Sequence, residues 1–294
     1  MTDSTESGLV VVDKPQGWTS HQIVGRCRRL LGTRKVGHAG TLDPMATGVL
    51  LVGVNRATRL LGHLMLTEKE YTATIRLGES TITDDAEGGT IERRGCGVLD
   101  ESLLDQAMQP FRGDILQVPT QVSAIKIDGK RSYARVRAGE QVELKARPVT
   151  VFELSLLGSD PAEVEGTPML DLRVRVRCSS GTYIRALARD LGAALGCGGH
   201  LTVLRRTRVG PFGLDRAQLV DNETEHLTLI GIDEVAAECF PTLAVDEPTA
   251  RAISYGQRLS GVELTALTAM LHQGRFLALY APDGPDAKAE AVFS

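Results

Sequence analysis

The stretch Gly37–Gly48, with the sequence GHAGTLDPMATG, places one acidic side chain in a segment rich in glycine. We expect its three glycines to adopt backbone angles that other residues disfavour, and Pro44 restrains the backbone of the preceding Asp43. The stretch therefore predicts an irregular loop that orients the Asp43 carboxylate. Such a carboxylate can bind a cation, cap a helix or attack an electrophilic carbon, and the spacing alone leaves all three roles open.

Hydrophobic patterns predict strands and single helices around this loop. The expected strands are Leu9–Val12, Val49–Val54, Tyr71–Leu77, Met169–Cys178 and Leu201–Val209, with a hairpin at 125–131 that turns at Asp128 and Gly129. The expected helices are Ser20–Leu31, Ser102–Phe111 and Thr182–Leu195. Because strands outnumber crossover helices, we expect an α/β fold of the α+β type with a mixed, largely antiparallel sheet. No Gly-x-Gly-x-x-Gly motif follows a strand, so a nucleotide cofactor is not indicated.

The charge of the chain is divided unevenly. The net charge is −4, but residues 1–212 carry 28 Lys and Arg against 24 Asp and Glu, whereas residues 213–294 carry 5 against 13. A phosphate-binding surface would therefore belong to the first part. Its basic clusters are Arg26, Arg28, Arg29, Arg34 and Lys35; Lys126, Lys130, Arg131, Arg135 and Arg137; and Arg205, Arg206 and Arg208. Such runs are more often solvated surface than binding sites, so charge alone does not decide between the two.

Composition excludes several classes of protein. The five cysteines are scattered and never spaced Cys-x-x-Cys, which gives no sign of a disulfide framework or a zinc site. Residues 1–7 lack the basic start and apolar core of a signal peptide, and no apolar run reaches the length of a membrane span. With 294 residues, 42% of them apolar, the chain can form one large domain and a small one. We expect a soluble, cytoplasmic protein.

Several separated motifs resemble those of the TruB-type tRNA pseudouridine synthases. They are the stretch Gly37–Gly48, Val12–Gly17 (VDKPQG), Lys69–Tyr71 (KEY), Cys178–Arg185 (CSSGTYIR) and Leu204–Arg206 (LRR). Their order and spacing fit that family from about Leu9 to Phe212. The resemblance implies an enzyme that flips out the T-loop uridine of tRNA, position 55, and isomerises it to pseudouridine. It implies no metal and no cofactor.

The resemblance also implies a domain organisation. A flexible N-terminus at 1–8 would precede a catalytic domain of the pseudouridine synthase fold at 9–232, and a small β-rich, PUA-like RNA-binding domain would occupy 233–294. The acidic balance after residue 212 departs from a basic RNA-binding module, so the contribution of the last domain to tRNA binding stays open.

Three residues receive catalytic roles from the resemblance. Asp43 is the nucleophile, Arg185 pairs with it, and Tyr71 stacks on the target base and is a candidate proton acceptor. A neighbouring guanidinium favours the ionised carboxylate that a nucleophile needs, because it lowers the pKa of the carboxyl group. Whether Asp43 attacks the uracil ring or the ribose C1′ stays open.

Further residues complete the predicted site. The substrate-binding set is Lys14, His38, Asp85, Tyr183 and Leu204, and the set for the RNA backbone is Arg28, Arg29, Arg205 and Arg206. Lys14 could contact a phosphate or be a solvated turn residue, and the resemblance favours a role in supporting the pocket. Asp85 could be a polar contact of the site or a residue of a surface turn.

Two functions fit this scaffold, a tRNA pseudouridine synthase and a non-catalytic tRNA-binding or folding factor. The presence of Asp43 with Tyr71 and Arg185 favours the enzyme, since a binder of an anionic ligand has no need for a desolvated acid. A glycosidase with paired carboxylates would need a second placed acid, and the motif supplies none. The expected partner is the T-arm stem-loop of tRNA, bound by a monomer without a membrane or a nucleotide cofactor.

Overall fold

The computed structural model describes residues 6–120, 126–127, 130–131 and 144–293. The strands are β1 (Gly8–Lys14), β2 (Val36–Ala39), β3 (Thr47–Val54), β4 (Lys69–Leu77), β5 (Glu79–Thr81), β6 (Thr90–Arg93), β7 (Gly113–Gln117), β8 (Lys126–Ile127), β9 (Lys130–Arg131), β10 (Arg147–Val164), β11 (Thr167–Cys178), β12 (Gly199–Val209), β13 (Phe212–Gly213), β14 (Gln218–Leu219), β15 (Ile230–Gly231), β16 (Thr242–Ala244), β17 (Thr268–His272), β18 (Arg275–Asp283) and β19 (Asp286–Val292). The α-helices are α1 (Ser20–Leu31), α2 (Leu61–Leu64), α3 (Glu101–Met108), α4 (Ile184–Ala194), α5 (Ile232–Cys239) and α6 (Glu247–Ser254).

The chain divides into two compact units. The first comprises Met1–Asp43, Val49–Met65 and Gly210–Ser294, and the second comprises Pro44–Gly48 and Leu66–Val209. The chain therefore passes from the first unit to the second immediately after Asp43, inside the stretch Gly37–Gly48.

The first unit is built around β1. This strand pairs in parallel with β14 and in antiparallel fashion with β15, and its other neighbour is β3, which pairs with β2 in antiparallel fashion. The four residues Leu9–Val12 are at most 1% exposed, as expected of a strand covered on both faces. The predicted strands at Leu9–Val12 and Val49–Val54 are confirmed.

Local sequence sets the bounds of α1. Thr19 and Gln22 form a capping box, in which the Gln22 N–H donates to Thr19 Oγ1 over 3.2 Å and the Thr19 N–H donates to Gln22 Oε1 over 2.7 Å. The helix ends at Gly32, which adopts the left-handed conformation with φ 63°. The predicted helix Ser20–Leu31 is confirmed at both ends.

The second unit carries an antiparallel sheet in the order β12–β4–β11–β10–β7. On β11, Leu170, Leu172, Val174, Val176 and Cys178 are at most 1% exposed. The intervening Arg173 and Arg175 are exposed, which confirms the alternation expected of a half-buried strand. With the parallel and antiparallel pairs of the first unit, this sheet confirms the predicted mixed, largely antiparallel α/β fold.

Some elements differ from the sequence-based expectations. The strand β10 was not predicted, because bulges break its alternation at two places and Gly158 and Pro161 lie within it. The helix expected from Thr182 begins at Ile184, since Tyr183 is still extended. The helix expected to reach Phe111 ends at Met108, and a 3-10 turn that contains Pro110 follows.

The hairpin expected at 125–131 is confirmed in its pairing. Lys126 lies opposite Arg131, and Ile127 lies opposite Lys130, in antiparallel register. The turn residues Asp128 and Gly129 lie outside the described residues, as do Arg135 and Arg137 of the same basic cluster and residues 1–5 of the N-terminus.

The stretch Gly37–Gly48 is only partly a loop, because it begins in β2 and ends in β3. Gly40 and Gly48 have positive φ angles of 74° and 99°, as expected. The expectation was wrong for Gly37, which lies in an ordinary strand. A Cβ atom at Gly37 would lie 3.1 Å from Leu61 Cδ1, a tight contact that a shift of a few tenths of an ångström in the leucine side chain would relieve.

The C-terminal part of the first unit contains a separate sheet in the order β16–β17–β18–β19. Ile253 of α6 packs with buried residues of this sheet, among them Met270 and Tyr280. The Asp233 carboxylate of α5 accepts a hydrogen bond of 2.7 Å from the Phe276 N–H, which attaches the sheet to the preceding helix. The expected β-rich C-terminal part is confirmed.

The close approach at Gly48 generates a prediction about stability. A Cβ atom there would lie 2.1 Å from the Arg206 carbonyl oxygen, and the φ of 99° is itself unfavourable for alanine. We expect Gly48→Ala to lower the free energy of unfolding by about 3 kcal/mol or more. Urea denaturation measures this change. The control is Gly62→Ala, where a Cβ atom meets nothing within 4 Å; equal stabilities of the two variants would contradict the prediction.

Candidate active site

The backbone beside Asp43 is held by the first residue of α1. Ser20 Oγ accepts a hydrogen bond of 3.0 Å from the Leu42 N–H and donates one of 3.1 Å to the Leu42 carbonyl oxygen. Ser20 is 1% exposed and Leu42 is 4% exposed, whereas Asp43 itself is half-buried. Sequence reasoning did not identify Ser20, because its partner lies 22 residues away.

Lys14 and His38 lie in the same unit as Asp43. The Lys14 side chain is fully buried and its Nζ donates to the carbonyl oxygens of Pro15 (3.0 Å) and Trp18 (2.6 Å). The interpretation of Lys14 as a solvated turn residue is wrong, because the side chain is fully buried, and this burial favours a supporting role over contact with a phosphate. His38 lies in β2, and its ring packs edge-on against His21 with 5.5 Å between the ring centroids.

In the second unit, Arg185 forms a buried ion pair with Asp85. Arg185 Nη1 donates to Asp85 Oδ2 over 3.2 Å and to the Thr83 carbonyl oxygen over 2.9 Å. The other Asp85 oxygen accepts from Thr83 Oγ1 (2.5 Å) and from the Glu87 N–H (3.1 Å). Arg185 is 5% exposed and Asp85 is 2% exposed, so Asp85 is a buried partner of the arginine. Hydrogen bonding at both carboxylate oxygens is what makes such a buried charge tolerable.

A second ion pair lies beside the first and was not predicted. Arg189 Nη1 lies 3.3 Å from Asp84 Oδ2, and Arg189 Nη2 donates to the Val118 carbonyl oxygen. Burial raises the pKa of Asp84, and the Arg189 charge opposes this effect. The signal in the sequence is the spacing of Arg185 and Arg189, which places both on one face of α4 opposite two consecutive acids.

Tyr71 lies on the buried face of the second unit's sheet. It is directly opposite Arg206 of β12 and Val176 of β11. Tyr71 is 7% exposed, Arg206 is 2% exposed, and Leu204 on the same face is 7% exposed. Arg205 points to the other face and donates to Thr47 Oγ1 over 3.3 Å. The two adjacent arginines, predicted together for the RNA backbone, therefore lie in different environments.

Two other predicted residues have identifiable supports. Tyr183 is clamped by Gln117, which accepts from the Tyr183 N–H (2.8 Å) and donates to the Tyr183 carbonyl oxygen (3.1 Å). Gln117 is 1% exposed and nothing in the sequence marked it.

Arg28 and Arg29 are both exposed in the last turn of α1, and Arg28 also donates to the Val36 carbonyl oxygen over 2.9 Å.

Two family models match this chain. The model for the TruB family pseudouridylate synthase N-terminal domain matches residues 28–184, and that for the tRNA pseudouridylate synthase B C-terminal domain matches residues 185–228. The chain belongs to the TruB family of pseudouridylate synthases. The resemblance seen in the motifs and the expected class of enzyme are thereby confirmed.

Relatives of similar length carry the name tRNA pseudouridine synthase B. The protein of Streptomyces griseus is 54% identical over 99% of this chain and 98% of the relative, and that of Nocardia farcinica is 55% identical over 97% and 92%. Among solved structures, the chain is similar to one in a Cbf5-Nop10-Gar1 complex, with a TM-score of 0.71, 26% identity, and coverage of 98% of this chain and 85% of that chain. Another, in an H/ACA RNP bound to a substrate RNA containing 2'-deoxyuridine, has a TM-score of 0.69 with the same identity and coverage.

Within the described residues, no helix is long and apolar enough to cross a membrane.

The buried lysine of the KEY motif generates a prediction about pH. Burial, together with the Arg206 charge, lowers the pKa of Lys69 from 10.5 to about 8. The unfolded chain keeps this proton to higher pH than the folded chain, so Lys69 makes the free energy of unfolding rise between pH 8 and 10.5. In Lys69→Met this contribution is absent. We therefore compare the free energy of unfolding of Lys69→Met with that of the wild type. The difference, variant minus wild type, should be greatest below pH 8 and should fall by on the order of 2 to 3 kcal/mol between pH 8 and 10.5.

Urea denaturation of both proteins through that window measures the difference. Lys145→Met, at an exposed lysine, is the matched control. A difference between Lys69→Met and the wild type that stays constant with pH would show that Lys69 does not titrate in this range.

Proposed function

We propose that the protein isomerises uridine in tRNA to pseudouridine and that its target is the T-loop uridine. The observation that carries the proposal is a match to proteins named tRNA pseudouridine synthase B over nearly the whole chain, combined with the presence of Asp43, Tyr71 and Arg185 in this sequence. The solved structure similar to this chain that contains a substrate RNA adds support for an RNA substrate.

In the proposed reaction the Asp43 carboxylate is the nucleophile. The carboxylate forms a bond to the uracil ring or to the ribose C1′, the bond between N1 of the uracil and C1′ breaks, and the base turns. C5 then bonds to C1′, the bond to Asp43 breaks, the hydrogen on C5 leaves as a proton, and N1 takes up a proton. Tyr71 stacks on the flipped base and is the candidate proton acceptor. The two hydrogen bonds between Ser20 and Leu42 support this role, because a nucleophile gains most from a backbone that is already in place before the substrate arrives.

The proposed partner of the nucleophile is Arg185. Arg185 Nη1 donates hydrogen bonds to the Thr83 carbonyl oxygen and to Asp85 Oδ2. A guanidinium carries five N–H groups, so pairing with Asp43 would use the others. Because Asp85 holds the guanidinium from one side, the arginine keeps its orientation when the substrate enters and leaves. Asp85 therefore acts in the proposal through Arg185. His38, Tyr183 and Leu204 are the proposed contacts of the base, and Lys14 has a supporting role.

The remaining parts of the proposal concern binding and organisation. Arg28, Arg29 and Arg205 contact the RNA backbone, and the buried Arg206 supports Tyr71 instead. The protein acts in the cytoplasm as a monomer, and it binds the T-arm of tRNA, which contains the target uridine. In the proposed organisation a catalytic domain at 9–232 precedes a PUA-like domain at 233–294. The separate core of β16–β19 with α6 supports a distinct C-terminal domain, and the proposed boundary falls after the first residue of α5.

Replacement of Asp43 by asparagine tests the chemistry. The asparagine side chain has nearly the same shape but cannot form the covalent intermediate, so we expect tRNA affinity to stay within a few fold of the wild type while isomerisation falls by several orders of magnitude. Position-resolved mapping of pseudouridine in unmodified tRNA measures the product. Asp100→Asn is the control, since Asp100 precedes α3 and makes no capping hydrogen bond with its side chain.

Three outcomes are informative. Retained turnover in Asp43→Asn would refute the nucleophile, and pseudouridine at another position would refute the T-loop target. Absence of product from the wild-type protein, with tight tRNA binding, would favour the non-catalytic tRNA-binding or folding factor.

The basic end of α1 generates a separate prediction. Arg28 donates to a carbonyl oxygen of the fold, so Arg29 is the cleaner residue to replace. We expect Arg29→Ala to weaken tRNA binding and to reduce the slope of log K against log salt by about 1, because one phosphate contact is lost. Filter binding across a salt series measures the slope. Arg275→Ala, at an exposed arginine of β18, should leave the slope unchanged, and an unchanged slope in Arg29→Ala would remove Arg29 from the interface.

A further inference from the structure

A groove opens along the outer face of α1 in the first unit. Its volume is about 530 Å³, within the range of ligand sites in proteins. It is lined by Gly17, Trp18, Gln22, Gly25, Arg29 and Asn222. Trp18, Gln22 and Asn222 have no role in the proposed chemistry at Asp43.

The walls of the groove are fixed by contacts beneath them. The buried Lys14 ammonium binds the Trp18 carbonyl oxygen over 2.6 Å, and the capping box orders the chain between Trp18 and Gln22. On the other side, Arg26 donates to the carbonyl oxygens of Asp221 (2.9 Å), Asn222 (3.0 Å) and Thr224 (2.5 Å). A groove whose walls are already ordered loses little conformational entropy when it is filled.

The side chains that line the groove match the chemistry of a nucleotide. Trp18 contributes an indole for a base and Arg29 a guanidinium for a phosphate. Asn222 contributes an amide for a base edge, and Gln22, whose Oε1 accepts in the capping box, contributes its Nε2 as a donor. No acidic side chain is part of the lining among the residues that the structure describes.

We propose that this groove binds one unstacked nucleotide of the tRNA substrate, with its base on Trp18 and its phosphate on Arg29. The inference rests on the proposed function, because it takes tRNA as the ligand. It adds a second point at which the protein holds a nucleotide, distinct from the target uridine at Asp43.

The single tryptophan of the chain provides a direct test. We expect unmodified tRNA to quench the fluorescence of Trp18 in the wild-type protein and to shield it from acrylamide, since a stacked base covers the indole. Unchanged fluorescence and unchanged acrylamide access at saturating tRNA would overturn the proposal. Quenching by AMP or UMP as strong as that by tRNA at equal concentration would assign the groove to a free nucleotide and would also overturn it.

Substitutions at Gly25, which lines the groove, test the same site. A Cβ atom at Gly25 meets nothing within 4 Å, so a longer side chain can enter the groove without disturbing the helix packing. We expect both Gly25→Gln and Gly25→Glu to abolish the quenching and to raise the Kd for tRNA by roughly tenfold, the larger effect belonging to the charged variant. The matched control is Gly62→Glu, at an exposed helical glycine with equally open surroundings. Retained quenching and wild-type affinity in both Gly25 variants would place the bound base elsewhere.

Activity measurements separate this inference from the proposed function. Filling the groove should raise KM and leave kcat near that of the wild type, because the reacting atoms are not touched. A wild-type protein that forms no pseudouridine would refute the proposed function. A wild-type protein that forms pseudouridine, with Trp18 unaffected by tRNA, would refute the groove alone.

Discussion

The buried ion pair between Arg185 and Asp85 is the constraint on which the arrangement of the second unit around α4 depends. Its partners are 100 residues apart in sequence, and both are almost fully enclosed. Loss of either charge would leave the other buried without compensation, which typically costs about 3 to 5 kcal/mol. The value of the pair lies less in net stability than in geometry, because a charge that is expensive to leave unpaired stays where its partner is.

The same logic explains why the neighbouring turn is so densely hydrogen-bonded. Thr83 bonds to both members of the pair, through its carbonyl oxygen to Arg185 and through its hydroxyl to Asp85. Asp84 adopts a positive φ of 59°, and its Oδ2 lies 3.3 Å from Arg189 Nη1. A sparsely populated backbone conformation of this kind persists where the surrounding contacts hold it in place.

Whether a feature could be predicted from the sequence depends on how far apart along the chain its interacting residues lie. The bounds of α1 depend on Thr19, Gln22 and Gly32, which are all local, and the alternation of β11 depends on a period of two, so both were predictable. The pairs Ser20 with Leu42 and Arg185 with Asp85 depend on the fold, and no local pattern encodes them. The motifs identified the family because each occurs along the chain in the order that the family shows. They could not indicate that Arg206 is buried whereas Arg205 lies on the other face of the sheet.

The loop that carries Asp43 is restrained on both sides by residues that have no chemical role. Before Asp43, Ser20 fixes Leu42 by two hydrogen bonds; after it, Gly48 lies so close to the backbone of Arg206 that no side chain fits. In the proposed function Asp43 is the nucleophile, and a side chain whose backbone is held in this way would lose little conformational freedom on binding substrate. Ser20 and Gly48 are therefore as much a part of what sets this loop as its own sequence, because each makes a contact that an apolar or a larger side chain would remove.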